Sequence, residues 1–253
     1  MLEGITEDSL LEGRVRLLQP RTGHRAGTDA VLLARAVVPA PGEVVADLGA
    51  GSGAVGLILG SLWRDITIDF VERDRDLVAL CAENIRGNGL EGRALAIQAD
   101  VLAPASERRA AGLLPMSVDW VVTNPPFLSE GQSRASPNGN RADAHVLPAD
   151  GLERWVRTAV DLLKPGGRLA LIHRANRLDE VFRVCEGRFG ALRIRAVHPK
   201  DDAPAIRILL KGIKGSRAPL TLCPPLVLHE ADGRFTPEAA ALHGSFDLSS
   251  AAL

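Results

Sequence analysis

The sequence predicts an α/β fold: a doubly wound, mostly parallel sheet of seven strands with a short N-terminal extension and a C-terminal tail. Three observations predict it. From residue 43 onward, short apolar runs alternate with longer segments of helical period, the pattern of parallel strands joined by crossover helices. The first apolar run ends in a glycine-rich turn, Gly49-Ala50-Gly51-Ser52-Gly53, which opens directly into a helical segment. The chain has 253 residues, 46% apolar and 24% charged, with a net charge of −1, enough for one substantial core. This composition excludes disordered and collagen-like chains, and no apolar run approaches the roughly 20 residues of a bilayer crossing.

The core is expected over residues 43–214. Glu43–Leu48 is the first strand and Ala54–Leu62 the first helix. Ile66–Glu72 alternates as a second strand. Leu77, Val78, Cys81 and Ile85 then line a helix that stops at Gly87 and Gly89. Arg93–Gln98, Val118–Thr123 and Arg168–His173 are strands three to five. Before the fifth lies a helix capped by Asp150, with Glu153 three residues on and an apolar face of Leu152, Trp155, Val156, Ala159 and Leu163. A helix near Leu178–Arg188 precedes strands at Leu192–Val197 and Ile206–Lys211.

Three stretches fall outside this pattern. Residues 1–42 suggest a hairpin through Leu11-Glu12-Gly13-Arg14, followed by the segment Gly23–Val38. Residues 128–148 are polar and too long for an idle connection. Residues 215–253, with four prolines, read as a strand-poor appendage. The acidic N-terminus argues against export. Cys81, Cys185 and Cys223, without CxxC spacing, read as buried thiols of a cytoplasmic protein.

Doubly wound sheets bind ligands outside the carboxyl ends of their strands, at the point where strand order reverses. Glycines there let a ligand approach the backbone, and the helix N-terminus offers free N–H groups. Gly51–Gly56 fits GxGxxG, with Glu72 about 20 residues on, so a dinucleotide site is one reading and a ligand-free tight turn another. Asp47, directly before the glycines, would repel a pyrophosphate but suits an amino acid's ammonium group. Asp100, ending strand three, can accept from an adenine amino group. The pattern Asp47-Leu48-Gly49-Ala50-Gly51-Ser52-Gly53, then Glu72, then Asp100, resembles class I S-adenosylmethionine-dependent methyltransferases over residues 43–211. By that resemblance Asp47, Gly49 and Gly51 would hold the methionine part, Glu72 the ribose and Asp100 the adenine. For each acid alone, a solvated surface position is the alternative.

Strand four ends in Asn124-Pro125-Pro126-Phe127. Alone, Asn-Pro-Pro is a rigid turn; its place at the sheet's carboxyl edge suggests chemistry. An exocyclic amino nitrogen conjugated to a ring or carbonyl is a poor nucleophile because its lone pair is delocalised. The Asn124 side-chain oxygen and the Pro125 carbonyl can accept its two N–H bonds and aim the lone pair at a methyl sulfonium. Pro126 stiffens this clamp, and Phe127 offers a stacking face. No metal is required. The signature resembles that of amino-methyltransferases acting on adenine N6, guanine N2 or glutamine amide nitrogen.

Residues Leu17–Leu33 resemble the entry segment of bacterial methyltransferases related to the valine-tRNA adenine N6 enzymes, which implies that Thr28 and Asp29 touch S-adenosylmethionine as the extension closes over it. An N-cap at either residue is the structural alternative. Glutamine methyltransferases with this signature usually carry a helical domain before the glycines, whereas 46 residues precede Asp47 here; small guanine N2 enzymes often have Asp in place of Asn124. Residues 226–237 resemble the ending of a proteobacterial methyltransferase branch. From Lys164 to Arg217, 13 basic residues face five acidic ones, and further basic residues stand at Arg14, Arg16, Arg21 and Arg25. This reads as an RNA track, with solvated faces as the alternative. The expectation is a methyltransferase acting on adenine N6 of a tRNA, using S-adenosylmethionine and neither metal nor membrane. Other acceptors, or a non-catalytic S-adenosylmethionine-binding RNA module, are the alternatives.

Overall fold

The N-terminal extension forms the predicted hairpin. Strand β1 (Ile5–Leu10) pairs antiparallel with β2 (Val15–Pro20), and Leu11, Glu12 and Gly13 take positive φ in the tight connection. The computed structural model describes residues 4–22, 25–126, 128–129 and 146–244, with side chains left out at 128–129 and 146–147.

Helix α1 (Thr28–Arg35) leads into the alternating core: β3 (Val44–Leu48), α2 (Ala54–Leu62), β4 (Thr67–Glu72), α3 (Arg75–Gly87), β5 (Ala94–Gln98), α4 (Ala105–Ala110) and β6 (Val118–Thr123). Two-residue strands β7 (Leu128–Ser129) and β8 (Val146–Leu147) pair in parallel at the ends of the long polar stretch, whose interior lies outside the described residues. Then come α5 (Gly151–Leu162), β9 (Leu163–Arg174), α6 (Leu178–Cys185), β10 (Phe189–His198) and β11 (Arg207–Lys214). The tail supplies β12 (Thr221–Leu222), β13 (Leu226–Val227) and α7 (Pro237–Gly244).

The sheet runs β12-β10-β11-β9-β6-β3-β4-β5, with β13 also on β10. All seven predicted strands are in it. Every pairing among them is parallel except those of β11 with β9 and β10. Strand order reverses between β3 and β6, so their carboxyl ends flank the crevice where such sheets bind ligands. One apolar layer joins the sheet to α1, α2, α3 and the hairpin; the other joins it to α5 and α6.

Several local expectations are corrected. Thr28 does not cap α1: Gly27 holds the cap position and no side chain bonds the first turn. Asp150 sits at the cap of α5, but its carboxylate makes no capping bond and stands 4.0 Å from Arg154 instead. Leu163 leaves the helical face and starts β9. The tail is richer in strands than proline content suggested, because β12 and β13 add to the open edge of β10. Its Leu226, Leu228, Ala239 and Leu242 are buried in the layer that holds α1. Cys81 and Cys185 are buried, and burial pushes their thiols up, Cys185 to about 12; Cys223 is only half-buried. No helix among the described residues is long and apolar enough to cross a membrane.

Candidate active site

The turn after β3 is held by backbone and acids together. Gly49, Gly51 and Gly53 all have positive φ. The N–H groups of Gly49 and Ala50 donate to the Val71 carbonyl at 2.9 and 3.0 Å, tying the turn to β4. A side chain at Gly49 would collide with the indole of Trp155, which lies 2.9 Å from where a β-carbon would stand, whereas the same position at Gly51 meets no atom within 4 Å. Gly51 therefore borders open space beside the helix entrance, where a ligand can lie against the backbone.

The three acids occupy successive strand ends, β3, β4 and just beyond β5, but their hydrogen bonds differ. Asp47 is 2% exposed, and its Oδ2 accepts from the Gly56 N–H of α2 at 3.0 Å. Burial, with a smaller contribution from the Glu72 charge, raises its carboxyl to about 7. Asp47 thus lies under the turn, bonded to the helix, rather than on its outer face. Glu72 accepts from Gly51 N–H at 2.9 Å through Oε2 and from Arg73 and Asp74 N–H at 2.8 and 2.9 Å through Oε1. The Asp100 Oδ1 accepts from Leu102 N–H at 2.8 Å.

At the end of β6, Thr123 is fully buried. Its hydroxyl donates to the Leu48 carbonyl at 2.8 Å and accepts from the indole N–H of Trp155 at 2.9 Å. One side chain therefore ties β6 to the end of β3 and to α5. The next residue, Asn124, has a buried Oδ1 without a hydrogen-bond partner among the described residues. Such an orphan costs about 1–3 kcal/mol unless something fills it. Pro125 is buried and Pro126 half-buried behind it; Phe127 lies outside the described residues.

Thr28 and Asp29 open α1 on the same side of the sheet as α2. The Asp29 carboxylate accepts from Arg207 Nε at 2.8 Å, in an ion pair three-quarters buried on both sides. Thr123 and Trp155 escaped the sequence reading. Trp155 stood on an apolar helical stripe and looked like core; only the fold turns its N–H toward β6.

The basic surplus after Lys164 is mostly neutralised in space. Lys164 pairs with Asp119, Arg168 with Glu43, Arg188 with Glu153, Arg195 with Glu238 and Arg207 with Asp29, all acids from outside that stretch. Arg177 and Arg183 pair within α6 and its entrance. Among the described residues, Arg174, Arg193 and Arg217 have no ion-pair partner.

The sequence that builds this arrangement matches a known family model. The model described as methyltransferase small domain matches residues 25–200. The chain belongs to that family. It is an S-adenosylmethionine-dependent methyltransferase. Among its relatives, a tRNA1(Val) (adenine(37)-N6)-methyltransferase of Tolumonas auensis is 27% identical over 91% of this chain and 92% of its own. A ribosomal protein uL3 glutamine methyltransferase of Bradyrhizobium diazoefficiens is 30% identical over 57% of this chain and 45% of its own. A solved structure from Agrobacterium tumefaciens, described as a predicted O-methyltransferase, superposes with a TM-score of 0.72 at 32% identity, over 85% of this chain and 94% of that one. An open cradle at Gly51 and carboxylates at the end of β4 and just beyond β5 are compatible with such a cofactor.

Proposed function

We propose that the methyltransferase modifies an exocyclic amino nitrogen, the N6 of an adenine in a tRNA. The observation that carries this reading is the buried Asn124 Oδ1, without a partner among the described residues, at the strand-order reversal beside the glycine turn. An amino group is the complement such an acceptor lacks.

Bound S-adenosylmethionine supplies an electrophilic methyl group on a sulfonium. The chain's own residues do the rest. Glu72 and Asp100 would accept from ribose hydroxyls and the adenine amino group of the cofactor, and Gly51 would leave room for it. Asp47 acts from beneath, fixing the turn to α2 rather than meeting the methionine part. Asn124 Oδ1 and the Pro125 carbonyl accept the two N–H bonds of the acceptor amine and draw its lone pair out of conjugation. The Thr123 hydroxyl and Trp155 hold that clamp at a set distance from the turn. Positioning and electrostatics would thus lower the barrier without a strong base, and the surplus proton would pass from the nitrogen to water once the N–C bond has formed. Thr28 and Asp29 open α1, where the Asp29 carboxylate holds Arg207 of β11.

The coverage of the relatives favours a nucleic-acid acceptor. The tRNA enzymes align along most of both chains, whereas the glutamine enzyme aligns with little more than half of this one. Clamp chemistry is shared by both, so the acceptor must be tested directly. Nucleoside mass spectrometry of RNA from cells lacking the protein should show loss of one N6-methyladenosine, restored by the wild-type chain and not by Asn124→Ala. Unchanged nucleosides together with a lost methylglutamine would transfer the reading to a protein acceptor.

A further inference from the structure

Asn84 on α3 and Asn88 at its C-cap make the N-terminal hairpin continuous with the cofactor turn. Asn84 and Asn88 lie one helical turn apart and face the edge of β2 that β1 leaves open. The Asn88 carboxamide accepts from Arg16 N–H at 2.9 Å and donates to the Arg16 carbonyl at 2.8 Å. Asn84 treats Leu18 the same way, accepting from its N–H and donating to its carbonyl, both at 2.8 Å. The spacings agree: four helical residues rise about 6 Å and two strand residues about 6.8 Å. Each carboxamide presents a carbonyl and an N–H side by side, so the two together imitate a neighbouring strand.

Their remaining donors part ways. The second N–H of Asn88 returns to its own helix, to the Asn84 carbonyl at 2.7 Å. The second N–H of Asn84 reaches the Ser52 carbonyl at 2.8 Å, inside the cofactor turn. Asn84 is 2% exposed and Ser52 9%, so water cannot replace that bond. Holding the Ser52 carbonyl toward α3 sends the other end of the same peptide, the Gly53 N–H, back to the Ala50 carbonyl at 2.8 Å, which closes the turn. The neighbouring Gly51 N–H is held by Glu72. Only three side chains bond the turn and its exit into α2 from outside: Asp47, Glu72 and Asn84 among the described residues.

We propose that Asn84 is a positioning residue that makes the hairpin part of the cofactor site. It sets the Ser52–Gly53 peptide while gripping Leu18, so the turn has its binding shape only when the hairpin is docked. Linkage runs both ways: a ligand on the turn stabilises the docked hairpin, and a contact that draws on the hairpin changes affinity at the turn. Asn88 docks the same hairpin without touching the turn, which provides a matched control. This inference rests on the cofactor lying against the glycine turn.

The test compares full-length wild type with Asn84→Ala, Asn84→Asp and Asn88→Ala, using S-adenosylhomocysteine as the probe. Asn84→Asp keeps the size and the acceptor for Leu18 N–H but lacks both donors, so it serves where the alanine variant folds poorly. Calorimetry should show binding weakened about tenfold in both Asn84 variants and by less than about twofold in Asn88→Ala, although urea unfolding shows similar stability losses for the two alanine variants. Hydrogen exchange gives a second readout: the probe should slow exchange of the Arg16 amide in wild type and lose that effect in Asn84→Asp. Equal weakening by Asn84→Ala and Asn88→Ala would overturn the proposal, since the hairpin would then act only through overall stability. Wild-type affinity in Asn84→Asp would overturn it as well. A wild-type chain that binds no probe would instead remove the placement of the cofactor at this turn, and the proposal with it.

Discussion

Replacing Thr123 by Val tests whether the clamp is positioned by the bonds at the end of β6. Valine matches threonine in shape, so no cavity opens, but the hydroxyl that donates to Leu48 at 2.8 Å and accepts from Trp155 at 2.9 Å is gone. The Trp155 indole N–H, on a residue 7% exposed, is left without its partner, and the Leu48 carbonyl loses one donor. With about 1–3 kcal/mol for the stranded Trp155 N–H and about 1 kcal/mol for the bond lost at Leu48, the variant should lose about 2–4 kcal/mol of stability. That is a large share of a typical domain's stability but leaves the chain folded. With the backbone pairing to β3 kept but the side-chain tie lost, the Asn124 turn shifts relative to the glycine turn, and a displacement near 1 Å lowers turnover by about 100-fold. Thr123→Ser keeps both bonds and loses one methyl group, about 0.8 kcal/mol. Urea unfolding gives the stability term, and single-turnover methyl transfer to unmodified tRNA at saturating cofactor gives the chemical step. If Thr123→Val loses stability yet transfers methyl at the rate of Thr123→Ser, the hydroxyl is structural and the positioning argument fails.

Three further outcomes follow from the same geometry. Burial raises Asp47 to about 7 in the folded chain, against about 3.9 when unfolded, so the folded state retains a proton across that interval and this residue makes stability fall as pH rises from about 4 to 7. Asp47→Asn should keep the bond to Gly56 and remove that contribution, so its stability difference from wild type must grow in its favour between pH 4.5 and 7; a pH-independent difference refutes the assignment. Gly51→Ala has open space around the new methyl but a φ of +58°, so it should cost about 1–2 kcal/mol in unfolding experiments while weakening cofactor binding more than tenfold. Arg174, at the carboxyl end of β9, is a cation without an ion-pair partner among the described residues, on the strand next to Asn124 and three residues beyond the Leu171–Thr123 pair. Arg174→Gln should reduce the salt dependence of tRNA binding by about one phosphate contact, whereas Arg177→Gln, whose partner is Glu180, should not; equal slopes for both would exclude Arg174 from the RNA path.

Much of the fold was legible in the chain. Ala54–Leu62 and Val118–Thr123 begin and end where periodicity places them, because burial on one helical stripe or within a parallel sheet leaves a local imprint. The glycine turn and Asn-Pro-Pro were legible for a related reason: positive φ and fixed φ restrict residue type at single positions. Caps were less legible. Thr28 and Asp150 have suitable side chains at helix starts, yet neither bonds the first turn, since the choice depends on rotamers and neighbours outside the helix.

The sequence by itself determined the alternation of strands and helices, the family signature and the candidate clamp, because each is written in residue types spaced by the backbone's own geometry. It could not determine which charges are free. Counting acids near Lys164–Arg217 in the chain suggested a broad basic track, but Glu43, Asp119, Glu153, Asp29 and Glu238 reach those cations through space. Only the tertiary structure left Asn124 Oδ1 without a partner among the described residues, hid Asp47 beneath its turn and brought Asn84 against both Leu18 and Ser52. Pairing, burial and desolvation are properties of neighbours in space, and parallel sheets bring together neighbours that are far apart in the chain.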